Sequence, residues 1–587
     1  MAVETDTDTG FGEVSRLRGT VFEYLSLGAS VVGLFALAAL LIYVFVDAFG
    51  LSTASPAWLL TYFLTLVVPY IGFCLYSISD RAFTRKIALA LGGGLVVTAV
   101  GFTAIETLLV SIPGLTWQIA YLFLVATPVV ASVTFVASRQ PLGAAGFGLV
   151  GRLVGGAALG CAVAIMFIVI DRPLWFLVYT FGVLPAGGVY AYTSRREIGW
   201  PTAQATLVGL FGLGVSTQLR QILGIYPSDG LIYLWTLAVP LAAGAAALVT
   251  LRDGSRRAVA GVAVTTLLGG GGGFVLGSSA LPTGSGVIIG AATVAATAVY
   301  LVEAVDNEGR RGLLLPLLIA GGALAGAAVV QTVGIPTPEM WLTPAYLTSA
   351  PSNEAANAGL YPAVVGSIII IAMVAVLSFV LGVGAAVFLE EYAADTGLVG
   401  RLTRLIQINI ANLAAVPSVV YGLLGLGLFA NLLGFGFGTA VTAALTLSLL
   451  ILPITVISAQ EAVRSVPDDL RQGSYAMGAT RWQTVKNVVL PEAMPGMLTG
   501  TILALGRAIG ETAPLIMIGA ATTVFSAPAG IWSRFSAMPM QIYAWANYPQ
   551  AEFRYGVVAA GVVTLLIVLL AMNGTAIIIR NRMEREH

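Results

Sequence analysis

The sequence predicts an all-α membrane protein with about 16 transmembrane helices, and three observations support this fold class. Of the 587 residues, 58% are hydrophobic and only 10% are charged, whereas a soluble domain has about 25% charged residues. Apolar runs of about 20 residues, the length of a helix that crosses the hydrocarbon core, recur along the chain. The short alternating segments that are typical of a membrane β-barrel do not stand out.

The predicted spans alternate with polar segments along the whole chain. In the N-terminal half we expect helices near residues 24–46, 56–78, 87–105, 116–136, 147–170, 174–192, 202–220, 230–250, 257–279 and 285–303. Six more are expected near residues 312–333, 364–388, 405–432, 438–458, 497–522 and 556–580. With a cytoplasmic N-terminus, the basic residues of the outer segments and their edges are only Arg172, Arg220, Arg534 and Arg554. Because Lys and Arg concentrate in cytoplasmic loops, both termini are predicted to be cytoplasmic.

The domain organisation is predicted from these spans. Residues 1–19 form an acidic cytoplasmic tail, residues 20–308 a multi-span helical region of unknown role, and residues 309–587 a C-terminal domain of six helices. The longest outer loops are residues 334–361 and 523–552, which are rich in Pro and aromatic residues. Their aromatic side chains are expected either to anchor the loops at the membrane interface or to contact an external partner.

Composition also excludes several kinds of site. Cys74 and Cys161 both lie in apolar runs, so neither a disulfide framework nor a thiolate metal site is expected. His587 is the only histidine, and the sequence predicts no metal site and no cofactor. The formal net charge is zero, which gives no indication of a nucleic-acid partner.

Residues 461–496 are predicted to form a helix–turn–helix between two spans. Ser465, Pro467 and the pair Asp468–Asp469 are typical of a helix N-terminus, where a cap, a preset first turn and negative charge are favourable. Gly478 can adopt the left-handed conformation that ends this first helix.

The second helix of this pair is predicted to begin at Thr480. Thr480 and Gln483 have the spacing of a capping box, and Pro491 is expected to stop the helix near the membrane. The alternative is a single amphipathic helix that lies on the bilayer surface.

At these residues the sequence resembles the membrane subunits of type I ABC importers. Those proteins have a loop motif of Glu-Ala-Ala, then Gly, then Ile-x-Leu-Pro; here Gly478, Val488, Leu490 and Pro491 stand at the corresponding spacings, and Gln472–Gly473–Ser474 replaces Glu-Ala-Ala. The resemblance implies that the loop docks on a separate ATPase subunit. The coupling residues that it implies are Gln472, Gly473, Ser474, Gly478, Ala479, Thr480, Leu490 and Pro491.

Neighbouring segments resemble one family of such subunits, the PstA phosphate permeases. The resemblance covers roughly residues 310–587 and rests on residues 359–366, 387–392, 412–422 and 504–514. It implies a subunit that forms half of a phosphate pathway in the cell membrane, and is not itself an enzyme. The implied partners are a PstC-like permease, a PstB-like ATPase dimer and a PstS-like external phosphate-binding protein. Span 24–46 also has a possible likeness to the first helix of such permeases, in which case span 312–333 belongs to an insertion of ten helices.

Arg507, Glu511 and Thr512 are the predicted substrate-pathway residues. Arg507 and Glu511 are four residues apart inside the predicted span 497–522, where they would share a helix face. Charged residues at this depth usually face a pathway or a partner, and the planar Arg guanidinium suits bidentate recognition of an oxyanion such as phosphate. The alternative is a structural ion pair between this helix and its surroundings.

The sequence also bears on three alternative functions. ATP hydrolysis by this chain is excluded because neither Lys86 nor Lys486 follows the Gly of a Walker loop. An ion-coupled secondary transporter would need several intramembrane carboxylates, and Glu511 is isolated. A permease for a related oxyanion such as tungstate remains an alternative substrate assignment.

Overall fold

The computed structural model describes residues 16–78, 80–108, 116–167, 170–196, 200–252, 254–277, 283–305, 309–393 and 397–586. The regular structure in these ranges is helical, apart from an isolated bridge between Thr439 and Arg534. Fourteen of the described helices are long and apolar enough to cross a membrane, which confirms the predicted fold class.

Eleven helices precede the first long loop. They are α1 (Thr20–Ala48), α2 (Pro56–Ile78), α3 (Arg81–Thr107), α4 (Trp117–Ser138), α5 (Pro141–Met166), α6 (Arg172–Arg196), α7 (Pro201–Ile222), α8 (Asp229–Leu251), α9 (Arg256–Leu276), α10 (Gly284–Glu303) and α11 (Arg310–Val333).

Ten more helices complete the chain. They are α12 (Pro344–Thr348), α13 (Tyr361–Tyr392), α14 (Gly400–Ala414), α15 (Ser418–Leu432), α16 (Ala440–Arg464), α17 (Asp468–Ala476), α18 (Arg481–Ala508), α19 (Ala513–Met517), α20 (Met538–Ala546) and α21 (Phe553–Gly574). We call the end of the helix bundle that carries α17 the proximal end, and the opposite end the distal end.

Two predicted spans account for the difference between the 16 spans expected from the sequence and the 14 candidate spans in the structure. The helix expected near 202–220 exists as α7 but is too polar to qualify as a span by composition. The helix expected near 405–432 is broken, because α14 and α15 meet at an angle of 108°. Pro417 stands at the N-terminus of α15, where its missing N–H donor and fixed φ favour the break.

The predicted limits of span 497–522 are also wrong. α18 begins earlier, at Arg481, and ends at Ala508. The following N–H groups of Gly510 and Glu511 bond to carbonyls only three residues back, which tightens and closes the helix. Pro514 disfavours a helical continuation, so residues 509–522 contain only the short helix α19.

Helices α2, α4, α6 and α8 share an irregularity that the sequence analysis missed. Each contains a five-residue π-helical segment: Phe63–Val67, Leu122–Ala126, Tyr179–Val183 and Leu234–Ala238. A proline stands two residues after each segment, at Pro69, Pro128, Pro185 and Pro240. A wider π turn accommodates the proline ring and its missing N–H within a continuing helix. The intervals of 55 to 59 residues indicate a repeated unit of two helices.

The C-terminal helices form the largest hydrophobic core, which is closed at the distal end by the two long loops. α13 packs along α16, which in turn packs on α18. Tyr346, Phe535 and Trp545 from the loop regions are buried in this core. These aromatic side chains therefore serve as core residues, which neither of the two interpretations of the loops anticipated.

Helices α1 and α11 pack against different parts of the molecule. Ala48 of α1 is buried against Ala559 and Val563 of α21, and its carbonyl accepts the backbone N–H groups of Trp341 and Leu342, both at 3.1 Å. In contrast, α11 packs on α2 and α5. These contacts favour the alternative in which α1 is the first helix of the C-terminal unit.

Candidate functional site

The proximal end carries the helix–turn–helix that the sequence predicts. α17 begins after Pro467, and Gly478 has a φ of +82° in the turn that follows it. The Thr480 hydroxyl accepts the N–H of Gln483, while the Gln483 side chain accepts the N–H of Thr480 at 2.8 Å. This capping box starts the second helix, as expected.

The expected stop at Pro491 is wrong. The helix that begins at Arg481 continues without interruption into the membrane-spanning part of α18. A π-helical segment, Val485–Val489, precedes Pro491 by the same two residues as in α2, α4, α6 and α8. The second helix of the motif is therefore the start of α18, and a movement of the motif would act directly on that span.

The predicted coupling residues occupy different environments. Gln472 and Gly473 are exposed on α17, whereas the Ser474 hydroxyl bonds to the Thr484 hydroxyl at 2.8 Å and holds α17 on α18. Ala479, Leu490 and Pro491 are half-buried. The exposed residues of the predicted set are therefore Gln472, Gly473, Gly478 and Thr480.

Four large apolar side chains of the same motif were missed by the sequence analysis. Leu470, Tyr475, Met477 and Trp482 are all exposed, and Met477 is 89% exposed. We call these four residues the proximal patch. Their position in an otherwise polar loop could have identified them from the sequence. Clusters of exposed apolar side chains mark interaction surfaces.

Arg507 and Glu511 form the predicted ion pair, but not within one helix. Arg507 Nε lies 3.1 Å from Glu511 Oε1, with Arg507 in the last turn of α18 and Glu511 beyond its end. Arg507 is 50% exposed and Glu511 17%. Thr512 precedes α19, is half-buried, and makes no side-chain cap bond.

Neighbouring stripes of α18 differ in their surroundings. The face with Met497, Gly500 and Ala504 is buried, and a Cβ on Gly500 would lie 2.2 Å from the Ser458 Cβ of α16. Leu503 and Arg507, on an adjacent stripe of the same helix, are exposed. The Arg507–Glu511 pair therefore lies on an open side of the chain.

The broken segment at Pro417 lies beside the end of α18. A Cβ on Gly422 of α15 would lie 2.7 Å from the Pro514 Cα, so α15 and α19 are in close contact. The Tyr421 hydroxyl donates to the Leu413 carbonyl at 2.8 Å and spans the bend. Two helix breaks thus meet close to Glu511.

Within the described ranges, no cluster of three or more His, Cys, Asp or Glu residues could hold a metal ion.

Comparison with known proteins assigns a family to this architecture. Residues 379–584 match the binding-protein-dependent transport system inner membrane component family. The probable ABC transporter permease protein YqgI of Bacillus subtilis is 39% identical over 178 residues, which are 30% of this chain and 59% of YqgI. The phosphate transport system permease protein PstA 1 of Mycobacterium tuberculosis is 35% identical over 222 residues, which are 38% of this chain and 70% of PstA 1.

Among solved structures, the inward-facing MetNI methionine ABC transporter is 19% identical, with a TM-score of 0.31, over 37% of this chain and 93% of that chain. The family assignment rests on the sequence matches, which include more than two thirds of PstA 1. The chain therefore belongs to the PstA-like family of ABC transporter permease subunits.

Proposed function

We propose that this subunit forms half of the translocation pathway of an ATP-driven inorganic phosphate importer. The observation that carries the proposal is the Arg507–Glu511 pair, which lies at a helix break in a chain related to phosphate permeases. Broken helices at membrane depth are where transporters commonly bind their substrates. The open face of α18 would then face the pathway and a second, PstC-like permease subunit.

The chemistry of Arg507 supports an oxyanion substrate. Among the described residues, Glu511 is the only partner of its guanidinium, and it engages Nε. The two Nη groups therefore remain available for a tetrahedral anion with several acceptor oxygens. Glu511 would orient the guanidinium and weaken its hold on the anion, so that binding stays reversible.

The proximal end provides a surface for a separate ATPase. The proximal patch exposes four large apolar side chains on a helix pair whose second member enters the membrane. We infer that a PstB-like ATPase dimer binds there on the cytoplasmic side, with Gln472 and Gly473 at the contact. A PstS-like phosphate-binding protein would deliver its anion at the distal, external end, and both chain termini would be cytoplasmic.

Uptake measurements in cells with and without this subunit test the substrate. We expect labelled phosphate uptake to depend on the subunit, to stop when ATP is depleted, and to survive collapse of the ion gradients. Uptake of tungstate in place of phosphate would identify the related-oxyanion alternative. Loss of uptake on collapse of the gradients, with ATP intact, would indicate an ion-coupled secondary transporter.

A further inference from the structure

Three consecutive residues at the proximal end of α13 contact the helix–turn–helix and the helix before it. Glu390 accepts hydrogen bonds from Gln460 Nε2 at 2.7 Å and from Arg464 Nε at 2.8 Å and Nη2 at 2.7 Å. Glu391 accepts from Arg471 Nε and Nη2, each at 3.2 Å. The Arg481 guanidinium lies 5.3 Å from the centre of the Tyr392 ring. The end of α13 therefore contacts three helices, α16, α17 and α18.

The Glu391–Arg471 pair differs from the other contacts because it is buried. Glu391 is only 7% exposed and Arg471 14%, whereas Arg464, which pairs with Glu390, is 58% exposed. Arg471 also donates to the carbonyls of Val463 at 2.7 Å and Val466 at 2.5 Å. A buried charge pair holds its geometry when its remaining hydrogen-bonding groups are satisfied in this way.

Arg471 links α17 to the membrane helices α13 and α16. No residue of α17 is fully buried, so the helix has little apolar packing of its own. Arg471 Nη1 also lies 3.1 Å from Asp468 Oδ1 in the first turn of α17. One guanidinium thus joins the start of α17, the end of α16 and the end of α13. α13 in turn crosses the full bundle from Tyr361 to Tyr392.

We propose that Glu391 is a positioning residue that transmits movement of α17 to α13 through Arg471. This inference rests on the proposed function, since it assumes that an ATPase moves α17. When the ATPase displaces the proximal patch, the buried pair carries α13 along with α17. Without the pair, α17 can move while α13 stays in place, and ATP is hydrolysed without transport.

The test compares Glu391→Gln with Glu390→Gln in the full transporter reconstituted in liposomes. Three quantities are measured: the ATPase that co-purifies, the ATP hydrolysed, and the phosphate moved per ATP. We expect Glu391→Gln to keep the ATPase bound while phosphate moved per ATP falls about tenfold, the size expected for one charged hydrogen bond. Glu391→Asp keeps the charge and should be intermediate. Glu390→Gln affects only contacts between α13 and α16 and should leave the ratio unchanged.

Other results would overturn the inference. An unchanged ratio in Glu391→Gln would show that the pair transmits nothing. Loss of the bound ATPase in both the Gln and Asp variants, or an equal fall in Glu390→Gln, would show a purely structural role. Failure of the unmodified chain to couple ATP hydrolysis to phosphate movement would instead refute the proposed function.

Discussion

At the residue scale, Arg507 is notable because it lies on the exposed side of α18. Its charge is half-exposed and has one carboxylate partner, so its removal leaves Glu511 as a mostly buried, unpaired carboxylate. The sequence predicts this pair from spacing alone, because residues four apart meet on a helix. It does not predict that the helix ends between them, since an i→i−3 turn preserves their proximity.

Three variants at Arg507 and Glu511 separate a pathway role for Arg507 from a structural one. If Arg507 contacts the anion, phosphate uptake should fall in Arg507→Gln and less in Arg507→Lys, which keeps the charge but loses the planar fork. Uptake and subunit assembly are measured together. A structural pair predicts that Arg507→Gln with Glu511→Gln restores uptake, because no unpaired charge is left. Continued failure of this double variant in a normally assembled complex would favour the pathway role.

Gly478 offers a second test at the residue scale. Its backbone conformation, and not the space around it, determines which side chains this position tolerates. A Cβ there would meet no atom within 4 Å, but the φ of +82° strains any β-branched residue. Gly478→Val should cost about 1–2 kcal/mol in the turn and weaken co-purification of the ATPase. Gly478→Asn, at the same open position, is the matched control because Asn adopts a positive φ more readily, and it should lose less ATPase. Equal loss in both variants would contradict the argument from φ.

At the scale of elements, helix caps and turns could be predicted from the sequence, but helix breaks within apolar segments could not. The capping box at Thr480 and the turn at Gly478 follow from short-range residue patterns, and both are confirmed. Residues 509–522 are apolar enough to resemble a continuing span, and their hydropathy conceals the break. Pro491 gave the opposite error, because a π segment lets a helix pass a proline. The regular recurrence of such prolines in α2, α4, α6 and α8 was the signal that could have revealed this.

The start of α18 depends on its cap, which gives a prediction for this element. Thr480→Ala removes the acceptor for the Gln483 N–H and should cost about 1 kcal/mol of local helix stability. Hydrogen exchange at the amides of Gln483 and Thr484, which both bond to Thr480, should accelerate about fivefold. Thr480→Ser keeps the acceptor and should exchange like the original. Thr512→Ala, at a helix start without a side-chain cap bond, should leave exchange in α19 unchanged; faster exchange there as well would argue against the cap.

At the scale of the whole molecule, contacts between segments far apart in the sequence could not be predicted from short residue patterns. Glu391 and Arg471 are 80 residues apart, and α1 meets α21 across most of the chain. The two ends of the region α2–α11 are also adjacent: the Ser55 hydroxyl bonds to the Pro336 carbonyl at 3.2 Å, and the Glu339 N–H to the Thr53 hydroxyl at 3.0 Å. Adjacent ends are typical of an inserted domain.

This adjacency predicts that α2–α11 can be removed. Deletion of residues 56–333, with Ser55 joined to Gly334, should leave a chain that enters the membrane and still binds the ATPase. α13 would lose its contact with α5, but lipid can cover that apolar face at little cost. Membrane accumulation, ATPase co-purification and phosphate uptake are the measurements.

A longer deletion is the control, because it separates α1 from the inserted helices. Removing residues 20–333 also removes α1, which exposes the Ala559 and Val563 surface of α21 and leaves Trp341 and Leu342 without the Ala48 carbonyl as their acceptor. Buried donors without an acceptor are costly, so this chain should accumulate less and bind less ATPase than the first. If instead the first deletion accumulates normally but binds no ATPase, then α2–α11 are part of the permease. If both deletions behave alike, then α1 belongs with the insertion and not with α21.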